Sequence, residues 1–407
     1  MKKMTLTTLI AAMALSMTLN SHAETGKTIP VKCNNSHIAK MLGASQDRLK
    51  RALRTARPGD TLKISGTCEE SITITQGPLT LDGNGSGVIS GVISGAMFEP
   101  ESAEFDGLVT IDGAQGVVLR GLTISGSPSE GVLAMNGARV KIDDSLIESN
   151  HTGIRLSQAG LTLRDSTVRD NAGSGLMVIT GSTTVFGGEV HLTGNQGAGL
   201  FLEGNSMAEI RGAQVHADNN FLGVIVSVHS SLAVLELASA VGSTLTVRNN
   251  AVIGLQLAQG MLMVAGEGRP IANTLIDVSG NGAAGIVSVA GSQIASPFGA
   301  ARFVVAQNPV GMVLATDASL ELRGGLELRD NFGPGLVANG AGVVMLRSWP
   351  NPGHPGPIND PSPSSIVGNG GPAVIADFGS RLDINDVELG GPVICDPTVI
   401  SRTPVCM

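Results

Sequence analysis

Apolar residues alternate with polar or small residues in short runs along most of this 407-residue chain. The stretch that follows Asn150 shows the pattern, with apolar side chains at Ile154, Leu156, Leu161, Leu163 and Val168. A period of two residues predicts β-strands, and turns rich in glycine, serine and asparagine separate the runs. Three runs recur in each repeat, so we predict three short strands per repeat.

An asparagine closes each repeat, just after the third run. These asparagines are spaced 21 to 38 residues apart, at positions 150, 171, 195, 220, 250, 281, 308, 331 and 369. Such a period is typical of solenoids, and a repeat of about 22 residues is too short to hold two packed helices as well. We therefore predict a parallel β-helix whose coils stack about 4.8 Å apart around aliphatic side chains.

The recurring asparagine and a glycine that follows it are predicted to be structural. We expect the asparagine itself to adopt the left-handed backbone at the bend, which asparagine tolerates better than most residues. Its side-chain amide is expected to bond to the equivalent turns in the coils above and below. The glycine then lets the chain enter the next strand without a Cβ clash.

The two ends of the chain differ from the repeats. A charged start, a short apolar run and a small-residue exit predict a signal peptide over residues 1–23. Residues 24–60 are expected to form an N-terminal cap with an amphipathic helix, residues 61–390 the β-helix, and residues 391–407 a disulfide-closed C-terminal cap. The protein is then exported, to the periplasm or out of the cell.

Charge excludes two classes of partner. Without residues 1–23 the chain has 24 basic and 34 acidic residues, which gives a net charge of −10. An acidic, exported chain is poorly suited to bind nucleic acid or an anionic membrane. No later apolar run is long enough to predict a membrane span.

The four cysteines fall into two pairs near the ends of the chain. In an oxidising compartment the simplest pairing is Cys33 with Cys68 and Cys395 with Cys406, although four cysteines permit three pairings. They lack metal-ligand spacing and nearby histidines. We therefore expect neither a metal site nor a cofactor.

A segment near the N-terminus carries a family resemblance. Residues 49–85, "LKRALRTARPGDTLKISGTCEESITITQGPLTLDGNG", combine a helix, a Pro-Gly-Asp turn, a first strand and a Leu-Thr-Leu-Asp-Gly turn. This segment resembles the opening of exported bacterial right-handed parallel β-helix repeat proteins. The resemblance implies an all-β, single-stranded, right-handed parallel β-helix of pectate-lyase-like fold. That group includes pectate lyases, polygalacturonases, alginate epimerases, phage tailspikes and non-catalytic envelope proteins.

The catalytic motifs of that group are missing, so the catalytic residues are unknown. A polygalacturonase-like site needs clustered acids with Gly-His-Gly and Arg-Ile-Lys elements, but here Asp143 and Asp144 stand alone and would face opposite ways. An Asp-Pro-His element is absent too. The "DGNGSG" segment that begins at Asp82 mimics half of a calcium loop, but Ile93 replaces the acid that such a loop needs. We predict a turn there.

Outward residues four and two positions before each asparagine are predicted to form two polar columns on one face. The candidate ligand-binding residues in these columns are Arg169, His191, His216, Asp218, Arg248 and Asp277. Arginine could pair with the carboxylates of an acidic glycan, and aspartate or histidine could bond its hydroxyl groups. The alternative is an ordinary solvated face with weak charge pairs.

The strand after each asparagine has an apolar outer column. Its members include Met177, Phe201, Ile225, Val287 and Val313. A continuous apolar column on a solenoid surface predicts that something covers it. We favour the Pro-rich segment 349–365 as an internal cover, and self-association through the column is the alternative.

Two functional hypotheses follow. We favour a non-catalytic, exported β-helix protein that binds an extended envelope or extracellular ligand, either a polysaccharide or a protein partner. The alternative is a lyase, epimerase or hydrolase that acts on acidic polysaccharides. Sugar subsites commonly stack on tryptophan or tyrosine, and this chain has one tryptophan and no tyrosine, which favours binding.

Overall fold

The computed structural model describes residues 26–33, 47–91, 107–236, 242–266, 274–296, 302–323, 325–347, 364–385, 387–402 and 406. The predicted signal peptide, residues 1–23, lies outside these ranges. Most of the Pro-rich segment predicted to cover the apolar column, residues 349–363, lies outside them as well. Both remain predictions from the sequence.

The described residues form one helix, α1 (Arg48–Thr55), and 36 strands. In chain order the strands are β1 (Thr28–Cys33), β2 (Thr61–Cys68), β3 (Ile72–Ile74), β4 (Leu79–Ser90), β5 (Gly107–Asp112), β6 (Gln115–Ser125), β7 (Glu130–Met135), β8 (Arg139–Asp143), β9 (Leu146–Glu148), β10 (Thr152–Ser157), β11 (Gly160–Arg169), β12 (Leu176–Ile179), β13 (Thr183–Thr193), β14 (Ala198–Leu202), β15 (Met207–Arg211), β16 (Gln214–His216), β17 (Leu222–Ser227), β18 (Ser231–Glu236), β19 (Thr244–Thr246), β20 (Ile253–Ala258), β21 (Met261–Gly266), β22 (Leu275–Ser279), β23 (Ala284–Val289), β24 (Gln293–Ser296), β25 (Arg302–Ala306), β26 (Val310–Ala315), β27 (Ser319–Arg323), β28 (Leu326–Arg329), β29 (Leu336–Asn339), β30 (Val343–Arg347), β31 (Ser365–Val367), β32 (Val374–Asp377), β33 (Arg381–Asn385), β34 (Glu388–Leu389), β35 (Val393–Cys395) and β36 (Ile400–Ser401).

Each coil contributes three strand segments, as the alternation of the sequence predicts. The segment after each asparagine belongs to a 13-stranded sheet, and the second and third segments belong to a 23-stranded sheet. In some coils the second and third segments join into one bent strand, such as β11, which shifts register between Arg164 and Ser166. The strands pair in parallel from coil to coil, which confirms the predicted parallel β-helix.

Aliphatic side chains fill the interior in ladders. One ladder crosses nine successive coils with side chains no more than 1% exposed, at Ile154, Leu176, Leu200, Val224, Leu255, Ile286, Met312, Leu336 and Val374. Burial of each such side chain stabilises the fold by about 1.5–3 kcal/mol. The alternating pattern therefore fixes which face of every strand points inward.

The recurring asparagines form a second ladder inside the solenoid. The first eight of the nine are no more than 2% exposed. Nδ2 of Asn171 donates to Oδ1 of Asn195 at 2.9 Å, and Nδ2 of Asn195 donates to Oδ1 of Asn220 at 3.0 Å. Each Oδ1 also accepts the backbone N–H of the preceding asparagine. These bonds confirm the predicted amide ladder.

The expected left-handed backbone at the ladder asparagines is wrong. The left-handed residue is the one before each asparagine, as at Asp170 (φ 53°), Gly194 (φ 69°) and Asn219 (φ 58°). A left-handed residue at this point redirects the chain so that the next side chain turns inward. The bend therefore places the asparagine amide in the interior, where only another amide or a backbone group can satisfy it.

A column of glycines packs directly against this ladder. A Cβ on Gly199 would lie 2.6 Å from Nδ2 of Asn220, and one on Gly223 would lie 2.2 Å from Cγ1 of Val247 and 2.4 Å from the carbonyl of Gly254. Any side chain here would collide with the next coil. The structure thus confirms the predicted reason for the glycine.

The N-terminal end carries the predicted amphipathic helix. Leu49 of α1 is fully buried against the first coil. The backbone N–H groups of Leu49 and Lys50 donate to the two carboxylate oxygens of Glu70 at 2.8 and 3.0 Å. Glu70 is itself buried, so it satisfies first-turn donors that the helix cannot pair internally.

Both predicted disulfides are present. Cys33 is bonded to Cys68 and Cys395 to Cys406. Strand β1, within the expected N-terminal cap, pairs in parallel with β2, and strands β35 and β36, within the expected C-terminal cap, pair with β32 and β33. Parallel pairing therefore continues into both end segments. Among the described residues, the one helix, α1, is too short and too polar to cross a membrane.

Candidate functional site

The third strand segment of each coil carries the polar face, defined here by the outward residues of that segment in β11, β13, β16, β19, β22, β25 and β28 and of the turns that follow. The register of these strands places equivalent residues side by side. One column runs through Thr167, His191, His216, Thr246, Asp277, Val304 and Glu327. The first five are the neighbours predicted from the spacing of the asparagines.

Two histidines stack at the centre of this face. The ring centroids of His191 and His216 lie 4.7 Å apart with an angle of 14° between the ring planes. Glu189, at the edge of the pair, places its Oε1 3.2 Å from Nε2 of His191 and 3.7 Å from Nε2 of His216. Burial and the neighbouring His191 lower the pKa of His216 below its ordinary value.

A chain of hydrogen bonds continues from His216 across the next two coils. Nδ1 of His216 lies 2.8 Å from Oγ1 of Thr246, and that hydroxyl lies 3.1 and 3.2 Å from the two oxygens of Asp218. Asp218 also accepts the backbone N–H of Arg248 at 2.7 Å. The Arg248 guanidinium pairs with Asp277, and this hydrogen bond raises the pKa of Arg248 above its ordinary value.

A shallow cleft of about 320 Å³ opens beside this network. Its walls come from four successive coils and are formed by Arg248, Asn249, Asp277, Ser279, Gly280, Val304, Ala306, Gln307 and Arg329. Guanidinium, amide, hydroxyl and carboxylate groups all face the same space. The cleft therefore offers both hydrogen-bond donors and acceptors along the axis of the solenoid.

The family model for a right-handed β-helix region matches residues 79–222 and residues 109–296 of this sequence. Together the two matches span more than half of the chain. The chain belongs to the right-handed β-helix family. No curated protein sequence matches it.

Several solved structures are similar to this chain. The A-module of mannuronan C-5 epimerase AlgE4 from Azotobacter vinelandii is 15% identical, with 84% of this chain and 88% of that chain covered and a TM-score of 0.49. The AlgE6 A-module from the same organism is 16% identical, with 88% and 94% covered and a TM-score of 0.46. Pectate lyase Pel9A is 12% identical, with 67% and 78% covered and a TM-score of 0.42.

Five of the six candidate residues of this β-helix lie together. His191, His216, Asp218, Arg248 and Asp277 form the network described above. Arg169 lies beside them in sequence register, but its guanidinium pairs with Glu148 at 2.7 Å and with Asp170 at 3.5 Å. Arg169 is not among the residues that line the cleft.

Sequence reasoning missed several residues of the face. Glu189 and Thr246 bridge the candidates, and Gln307 and Arg329 line the cleft; Thr246 is a member of the predicted column but not one of the candidate ligand-binding residues. The repeat contained a signal for three of them. Thr246 and Arg329 lie four and two positions before ladder asparagines, as the members of the predicted columns do, and Gln307 directly precedes Asn308. Glu189 lies outside the two columns, and only the three-dimensional approach of its side chain brings it to the histidines.

Two other candidate groups of this β-helix have structural roles. Asp82 of the "DGNGSG" segment accepts hydrogen bonds from the Arg120 guanidinium at 2.6 Å and from the backbone N–H of Asn84 at 2.9 Å. Its carboxylate therefore holds a bend within β4, where the strand shifts register between Asp82 and Gly87. Asp143 pairs with Lys141 at 2.8 Å, and Asp144 adopts the left-handed backbone at φ 50°.

The apolar column of the 13-stranded sheet lies in register. It runs through Met177, Phe201, Ile225, Gln256, Val287, Val313, Val337 and Ile375. These side chains are half-buried, whereas Ile394 at the end of the column is exposed. Self-association through this column remains a prediction.

Proposed function

We propose that this β-helix is an exported protein that binds an extended, hydroxyl-rich polysaccharide in the cleft of the polar face, without cleaving it. The observation that carries the proposal is the cleft itself. It crosses four coils, so a chain lying in it meets a new set of polar groups about every 4.8 Å. Two disulfides, which are typical of proteins that fold in oxidising compartments, support export.

The charge pairs on this face favour a ligand with few charges. The Arg248 guanidinium pairs with Asp277, Arg302 pairs with Glu327 at 2.6 Å, and Arg329 pairs with Asp330 at 2.9 Å. Carboxylate groups of an acidic polymer would have to displace these partners before they could reach an arginine. Sugar hydroxyl groups can instead donate to the carboxylates and accept from the guanidinium groups while the pairs stay in place.

Catalysis on the same face is the competing function. His216 favours it, because the Thr246 hydroxyl holds the ring from its Nδ1 side and leaves Nε2 as a candidate general base. However, Nε2 is buried against its neighbours, so a sugar lying in the cleft cannot contact it unless Glu189 or His191 moves. This β-helix would then act as a polysaccharide lyase, epimerase or hydrolase.

Binding and cleavage can be separated with one panel of neutral and acidic polysaccharides. Binding is measured by isothermal titration calorimetry, and cleavage is measured by reducing ends and by the absorbance of unsaturated uronates. We expect a neutral polymer to bind, and we expect neither reducing ends nor unsaturated uronates to be released. Release of reducing ends or unsaturated products would establish the catalytic alternative.

The position of the polymer is tested by Arg248→Met, which removes a guanidinium from the cleft and keeps the aliphatic stem. Loss of charge-assisted hydrogen bonds should weaken binding about tenfold or more. Arg164→Met is the matched control, because Arg164 pairs with Asp165 and neither residue lines the cleft. Equal affinity of the wild type and Arg248→Met would show that the polymer binds elsewhere, and the apolar column would be the next candidate.

A further inference from the structure

Glu189, His191 and His216 form a cluster that the proposed polysaccharide site does not use. One ligand atom from each of the three residues lies within 4.8 Å of the others. The two Nε2 atoms approach the same carboxylate oxygen of Glu189, at 3.2 and 3.7 Å. In the described part of the chain, the other cluster of this kind contains Cys33 and Cys68, whose sulfurs are bonded to each other.

The hydrogen-bond chain behind His216 fixes which ring nitrogen carries the proton. A threonine hydroxyl has one proton, and a carboxylate group can only accept, so Thr246 donates its proton to Asp218. The 2.8 Å contact between Thr246 and His216 then requires Nδ1 of the histidine to donate. In the neutral ring, Nε2 is left with a free lone pair.

That lone pair faces another acceptor. Nε2 of His216 has no hydrogen-bond partner among the described residues, although it is shielded from solvent. Its neighbour at 3.7 Å is Oε1 of Glu189, which also carries lone pairs. Two acceptors that face each other across a short gap are stabilised by a cation between them.

The distances in the cluster fit a metal ion. Zinc binds histidine nitrogen and carboxylate oxygen at about 2.0–2.2 Å, so neighbouring donors of a tetrahedral site are about 3.4 Å apart. The two nitrogen–oxygen distances measured here, 3.2 and 3.7 Å, lie on either side of that value. Two imidazoles with one carboxylate suit zinc, cobalt, nickel and copper, whereas calcium and magnesium prefer sites made of oxygen.

We propose that Glu189, His191 and His216 bind one divalent first-row transition-metal ion of the zinc class, with a fourth coordination position open to water or to a ligand. The site is partly preorganised. The Thr246–Asp218 chain orients His216, as carboxylate groups behind metal-binding histidines commonly do. The His191 ring is stacked nearly parallel to the His216 ring, so it must rotate before both Nε2 lone pairs can converge on one ion. The His191 and Glu189 side chains are 42% and 57% exposed, which leaves them room to move.

The test uses the full-length protein after treatment with a chelator. Zn²⁺ binding is measured by calorimetry, and Co²⁺ binding by its visible absorption, which reports nitrogen and oxygen ligands directly. We expect one ion per chain in the wild type and no comparable binding of Ca²⁺. His191→Ala and His216→Ala should each weaken Zn²⁺ affinity at least about 100-fold, and Thr246→Val, which removes only the orienting hydroxyl, about tenfold.

His229→Asn is the matched control, because His229 is an exposed histidine outside the cluster and its left-handed backbone (φ 60°) tolerates asparagine. It should bind Zn²⁺ as the wild type does. Circular dichroism of every variant checks that the fold is intact. Binding that survives in both His191→Ala and His216→Ala, or a wild type that takes up no ion at micromolar Zn²⁺, would overturn the proposal.

Discussion

Asn195 provides the sharpest test of what stabilises this solenoid, because it lies in the middle of the asparagine ladder and is 1% exposed. Its Oδ1 accepts the backbone N–H of Asn171 at 3.2 Å and the Nδ2 of the same residue at 2.9 Å. Its Nδ2 donates to the carbonyl of Val168 at 3.3 Å and to Oδ1 of Asn220 at 3.0 Å. Asn195→Ala removes all four hydrogen bonds.

The expected loss of stability follows from the groups left behind. Two donors of Asn171 lose their acceptor in the interior, and each buried, unsatisfied group costs about 1–3 kcal/mol. Asn220 is affected less, because its Oδ1 still accepts the backbone N–H of residue 195 at 2.9 Å. We therefore expect Asn195→Ala to lower the free energy of unfolding by about 3–5 kcal/mol.

Urea unfolding followed by circular dichroism measures this change, and hydrogen exchange shows whether protection is lost mainly in the neighbouring coils. A repeat protein can open locally, so the second measurement is needed beside the first. The control is Asn205→Gly, at an exposed turn position with φ 61° that glycine adopts freely. If Asn195→Ala changes stability by less than about 1 kcal/mol, or no more than the control does, the ladder does not stabilise the fold as argued.

Two further variants test the packing and the charge pairs. Gly254→Ala should lower stability by several kcal/mol, about 2–4, because its Cβ would lie 2.5–2.7 Å from atoms of the next coil. Gly160→Ala, where the nearest atom is 3.5 Å away, should be nearly neutral in the same urea titration, and equal effects of the two would contradict the clash. The hydrogen bond from the Arg302 guanidinium lowers the pKa of the Glu327 carboxyl group. The ion pair therefore stabilises the folded protein above the ordinary glutamate pKa, and this stabilisation is lost as the pH falls through the lowered pKa. Glu327→Gln should therefore lower thermal stability by about 1 kcal/mol at neutral pH and leave it unchanged in strong acid, and a pH-independent difference would refute this account.

The sequence predicts the fold well because a β-helix depends on short-range rules that repeat. Alternation at positions such as Leu161 and Leu163 decides which residues are buried, and the recurrence of the asparagines decides which strands become neighbours. The conformation of the turn is harder to predict. Both Asp170 and Asn171 tolerate a left-handed backbone. The structure has it at Asp170, because this arrangement buries the Asn171 amide where it bonds to Asn195. That bond forms only when the coils have stacked, so the local sequence cannot show which of the two residues is left-handed.

The polar face is predictable as two columns but not as a site. The columns bring His191 next to His216 because equivalent positions stack, and the structure has them stacked at 4.7 Å. Glu189 reaches both histidines only through the rotamer of a long side chain, and rotamers depend on packing that the sequence pattern does not encode. The bond from Thr246 to Asp218 has the same origin, since Asp218 lies beyond the paired residues of its strand.

Scaffold and site are energetically separable in this β-helix, because successive residues of a strand point to opposite sides. Val190 and Leu192 are fully buried, while His191 between them is only half-buried. The strand spacing that packs Leu192 against its neighbours also fixes the distance between the stacked histidines, so the outer side chains need not contribute to the fold in order to be well placed. Substitutions at His191 should therefore weaken Zn²⁺ binding, while the free energy of unfolding stays within about 0.5 kcal/mol of the wild-type value. Asn195 lies in the ladder only four residues later, and its substitution should lower the free energy of unfolding rather than act on the outer side chains directly.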